Sequence, residues 1–194
     1  RGVQTLALAV SLGMLLTFSL ASHGAATVNI VGAATLTDFL HLTAAAVWAG
    51  GLLHFALITP IVLHGGSTPE ARQFLRAITP RFSVLACLGV GVLVVTGLFG
   101  YWAQVTMIPA LVVPYGIVLI TKVAFVLPLL ALGAVNLLWI RPRLAAGGPA
   151  AVWLGRVVVI EAVLVVVVVL VVGFLRVDLE YNPSVYTRVH LLLR

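Results

Sequence analysis

The amino-acid sequence predicts an all-α, polytopic membrane protein: a helical bundle of about five transmembrane helices, with the N-terminus inside the cell and the C-terminus outside. Three observations lead there. Hydrophobic residues make up 62% of the 194 and charged residues only 8%, whereas water-soluble domains carry roughly a quarter charged residues to cover their surface. Five stretches, residues 3–20, 36–58, 82–103, 115–140 and 152–175, reach the about 20 apolar residues a helix needs to cross a hydrocarbon core of about 30 Å. Of the 11 Lys and Arg residues, only Lys122 and Arg156 fall within those stretches.

The first span opens almost at Arg1. A start on Arg rather than Met points to a fragment or processed form, with further helices ahead of it. One positive charge before a long apolar run argues against a signal peptide. After the second span, Gly65, Gly66 and Pro69 break the helix, and Arg72 and Arg76 recur at helical spacing. This predicts a separate interfacial helix over about 69–78. The last span holds the run "VLVVVVVLVVGFL", which in water favours strand. In lipid every backbone group must pair within its own segment, so helix is expected. The bundle then occupies residues 1–176, and 177–194 form an extracytoplasmic polar tail.

Orientation follows from charge. The loop after the second span carries Arg72, Arg76 and Arg81, and the one after the fourth carries Arg141, Arg143 and Arg156. Short basic loops stay in the cytoplasm. The connections "ASHGAATVNIVGAATLTD" and "QVTMIPALVVP" contain neither Lys nor Arg and are expected outside. Trp102 falls at the outer boundary and Trp139 and Trp153 at the inner one, where indole rings prefer to sit, while Trp48 lies mid-span. The net charge of +6 is thus a matter of topology, and no basic face with interleaved aromatics points to nucleic acid.

Ionisable groups within hydrocarbon are costly and mark candidate functional positions. Here they are His41, His54, Lys122 and Glu161, with His23 and Asp38 at the outer edge. His23 follows the first span and His41 lies about one turn inside the second, so both fall near the outer face. Two imidazoles at one depth can hold a metal ion or a haem iron. Asp38, three residues before His41, is a further oxygen ligand or a hydrogen-bond acceptor behind the metal.

His54, thirteen residues after His41, lies about 20 Å along the axis but is rotated by about 220°, so the two share no face of a straight helix. A two-haem arrangement is therefore disfavoured, and His54 is a weaker ligand candidate. Lys122 and Glu161 are close enough in depth to form a buried pair or to line an ion path, and Asn136 marks the inward side of the fourth helix.

Small residues four apart, Ala45 and Ala49, Ala46 and Gly50, Cys87 and Gly91, are expected to pack spans two and three closely. A single cysteine, Cys87, excludes an intrachain disulfide or a cysteine metal cluster. No Ser-His-Asp arrangement, phosphate-binding glycine loop or HExxH motif suggests an enzyme.

The segments "SHGAA", "DFLHLTAAAVWAGGLL", "RFSVLACLGVGVLVVTGL", "YGIVLITK", "LGAVNLLWIRPRL" and "VVVIEAVL", in that order over about residues 21–175, resemble the CopD family of bacterial membrane proteins. The resemblance implies copper transport or copper resistance at the inner (plasma) membrane, with a periplasmic copper-binding partner of the CopC type. It implies His23 and His41 as outer-side copper ligands, and Lys122, Asn136 and Glu161 as matching polar positions. Copper(I) favours sulfur, and the chain offers only Met14, Met107 and Cys87. The alternative expectation is a b-type haem-bearing or accessory subunit of a membrane electron-transfer complex, since paired histidines in a small bundle also suit haem b.

Overall fold

The computed structural model describes residues 2–21, 31–64, 68–104, 114–144 and 149–181. Among them every regular element is a helix: α1 (Gly2–Leu20), α2 (Val31–Val62), α3 (Pro69–Gln104), α4 (Pro114–Val135), a π-helical turn (Asn136–Ile140), α5 (Arg141–Arg143) and α6 (Ala150–Tyr181). Five helices are long and apolar enough to cross a membrane, so the expected all-α multi-pass architecture is what the chain adopts. His23 and residues 182–194 lie outside the described residues.

Two compact units divide the chain: Arg1–Gly51 with Val84–Thr106, and Leu52–Ser83 with Met107–Arg194. In the first, α1 buries only Ser19 and exposes large apolar residues such as Val3, Leu6 and Phe18, as a helix bathed in lipid does. There α2 and α3 pack closely where a Cβ on Gly89 would stand 3.3 Å from the Trp48 Cβ, which accounts for a tryptophan away from either boundary. Of the small residues expected at this contact, Cys87 and Gly91 do not make it. Cys87 is exposed, and a Cβ on Gly50 or Gly91 would meet nothing within 4 Å. The contact instead uses His41 with Thr96 and Trp48 with Gly89, steps of seven residues in each helix, the spacing of a left-handed helix pair.

In the second unit α6 packs along α4 and the π turn. It presents Leu154, Val158, Ala162 and Val165 as a buried stripe, recurring every three or four residues as one helix face requires. Gly155 receives α2 closely: a Cβ there would lie 3.3 Å from Leu63 and 3.4 Å from Thr59. Phe55 and Phe82 stack at 5.1 Å.

One boundary differs from the sequence expectation. The interfacial helix over 69–78 is not separate, because α3 runs unbroken through Pro80. Ala71, Leu75 and Thr79 all bury on one side of it, so continuing the helix keeps that face packed. The Ser83 hydroxyl also adds a bond to the Thr79 carbonyl beside the proline. At the other end α6 continues as helix to Tyr181, beyond residue 176.

Candidate metal site and a buried polar pair

His41 stands on α2 in the first unit, half-buried, and its Nδ1 lies 2.8 Å from the Thr96 Oγ1 of α3. The roles in this bond depend on where the protons sit. A threonine hydroxyl has one, and Thr96 spends it on the backbone, 2.6 Å from the Val92 carbonyl and 3.3 Å from that of Leu93. With the proton there, the Thr96 oxygen accepts from His41 in the tautomer that carries its proton on Nδ1. The ring's lone pair is then on Nε2, the atom through which such a ring binds a metal, and a hydrogen bond on the other nitrogen is the usual means of orienting a metal-binding histidine. Thr96 is 8% exposed, which shields the bond from competing water.

Sequence reasoning named His41 and missed Thr96. A threonine in an apolar run gives little signal, and only pairing α2 with α3 reveals it. Asp38 is half-buried three residues before His41. His54 belongs to the second unit and is exposed. Among the described residues no three His, Cys, Asp or Glu side chains converge. His23, outside those residues, is not placed against His41.

A second polar locus lies in the second unit. Glu161, 5% exposed on the buried stripe of α6, accepts a 2.9 Å hydrogen bond from the Asn136 Nδ2. Asn136 is the first residue of the π turn, whose widened geometry shows in the Arg141 N–H bonding the Asn136 carbonyl five residues back. The oxygen of the same amide, Asn136 Oδ1, is buried and takes no hydrogen bond among the described residues. Lys122, which its depth in the sequence suggests as a partner for Glu161, is exposed on α4; the hydrogen bond to the carboxylate comes from the amide.

Long apolar helices, with a half-buried imidazole and a buried carboxylate among them, define a multi-pass membrane protein with polar side chains in its apolar spans. The chain belongs to the CopD family: the family model for copper resistance protein D matches residues 76–175. That match takes in Thr96, Lys122, Asn136 and Glu161, and leaves His23 and His41 outside it. The chain is also similar to the copper transport protein CutJ of Bacillus subtilis (strain 168), with 31% identity over 147 residues. That alignment covers 75% of this chain and 26% of the relative, so the chain spans about a quarter of the relative's length. No solved structure matches it.

Proposed function

We propose that the chain is the membrane-spanning part of a copper-handling protein of the bacterial inner membrane, which takes copper at the periplasmic face through His41 and His23. The observation that carries this reading is the Thr96 bond. It supports an oriented His41 ring, which in its Nδ1–H tautomer offers the Nε2 lone pair that a borderline-soft cation needs. The name of the relative supports copper as the cargo. Asp38 lies one turn away as an outer-side oxygen donor. Glu161, Asn136 and Lys122 form the polar stations along which a cation crosses the bundle. A periplasmic copper-binding protein of the CopC type is the expected donor or acceptor, and lipid surrounds the exposed apolar faces.

Metal analysis together with a reduced-minus-oxidised visible spectrum of the purified chain tests this. Bound copper that is lost in the His23→Ala, His41→Ala double variant supports the proposal. A sharp b-type band would instead assign the histidines to haem b in an electron-transfer subunit. Copper binding unchanged in the double variant would remove both histidines from the site.

A further inference from the structure

In the second unit, a cavity of about 570 Å³ opens between α3 and the segment formed by the π turn and α5. Its lining has two chemistries. Arg76 and Arg141 supply guanidinium groups, and Pro80, Leu137, Leu138 and Pro142 supply apolar wall; among the described residues no carboxylate lines it. Arg76 is positioned by its own hydrogen bond, Nε donating to the Leu144 carbonyl at 2.7 Å. Arg141 is half-buried. Two guanidinium groups lining one open concavity suit the oxygens of a phosphodiester.

The surroundings select among phosphate-bearing ligands. Trp139 and Trp153 are 66% and 54% exposed, as rings at a membrane boundary are. Arg143 and Arg156 stack on them at 5.1 and 5.8 Å. At that depth the abundant phosphate is a lipid headgroup, and the leucine and proline wall suits the start of its acyl chains. We propose that this cavity binds the headgroup of an anionic phospholipid, with Arg141 and Arg76 clamping the phosphate. The site is separate from His41 and does not depend on the copper reading.

The test uses the full chain, delipidated in neutral detergent and titrated with phosphatidylglycerol or phosphatidylcholine under native mass spectrometry. Phosphatidylglycerol is expected to bind at least about fivefold more tightly, the preference that one surface cation confers. Arg141→Gln loses that preference and Arg141→Lys keeps part of it. Arg143→Gln, outside the lining, leaves it intact. Leu138→Glu, which sets a carboxylate on the wall without touching either arginine, also abolishes it, so the result does not hang on one variant folding. Equal binding of the two lipids overturns the proposal, as does a preference that survives both Arg141→Gln and Leu138→Glu. Displacement of the lipid by equimolar inorganic phosphate also overturns it, by showing a small-anion site.

Discussion

Replacing Thr96 by Val isolates the interaction that orients the proposed ligand. Valine keeps the shape of the side chain but has no oxygen, so the His41 Nδ1–H loses its 2.8 Å acceptor. The imidazole then loses the contact with α3 that orients it. Removing a hydrogen bond behind a metal ligand typically costs 10- to 100-fold in affinity, about 1.4–2.8 kcal/mol. The fold should notice less. The threonine's own bond to the Val92 carbonyl duplicates a helical backbone acceptor, so the change in stability stays within about 1.5 kcal/mol. The assay is competition for copper against a chromogenic chelator, with thermal unfolding run in parallel on the same detergent-solubilised samples. Thr96→Ser, which restores the acceptor, should recover most of the affinity. Copper affinity within twofold of the unaltered chain in Thr96→Val, with unfolding unchanged, would refute the orienting role.

Further outcomes follow from the packing and the charges. Gly89→Leu should lower the unfolding temperature through overpacking of about 1–3 kcal/mol, because its Cβ meets the Trp48 Cβ at 3.3 Å; Gly91→Leu, open to 4 Å, should be close to neutral. Asn136→Leu removes the hydrogen bond to the buried Glu161 and should cost about 1–3 kcal/mol in thermal unfolding. Glu161→Gln, which can still accept from Asn136, should fold normally and show reduced copper flux in vesicles if the pair is a station on the path. Alkaline phosphatase should be active when fused after Gln104 and inactive after Leu144, as the arginine distribution requires; the reverse pattern would invert the topology.

The helices were legible because lipid leaves a backbone few choices, so a run of about 20 apolar residues is sufficient evidence. Their ends were less so. The sequence predicts a separate interfacial helix ending near residue 78, yet α3 runs on through Pro80, since the buried face of residues 71–79 stays packed when the helix continues. The seven-residue steps of His41 and Trp48 against Thr96 and Gly89 were hidden behind a more conspicuous four-residue pattern of small residues. Nothing in the sequence marks the π turn, although Asn136 and Glu161 were both visible as polar residues in apolar spans. What the sequence lacked was their pairing, twenty-five residues apart and on different helices. His41 could be named from its residue type and depth alone. Its orienting partner is a hydroxyl on another helix.

If copper is held by imidazole nitrogen from His41 and His23, X-ray absorption at the copper edge reads it directly. The unaltered chain loaded with copper should show the outer-shell scattering of two imidazole rings. His41→Ala should reduce that signal to one ring. A spectrum dominated by sulfur, or one that His41→Ala leaves unchanged, would contradict copper binding by these histidines.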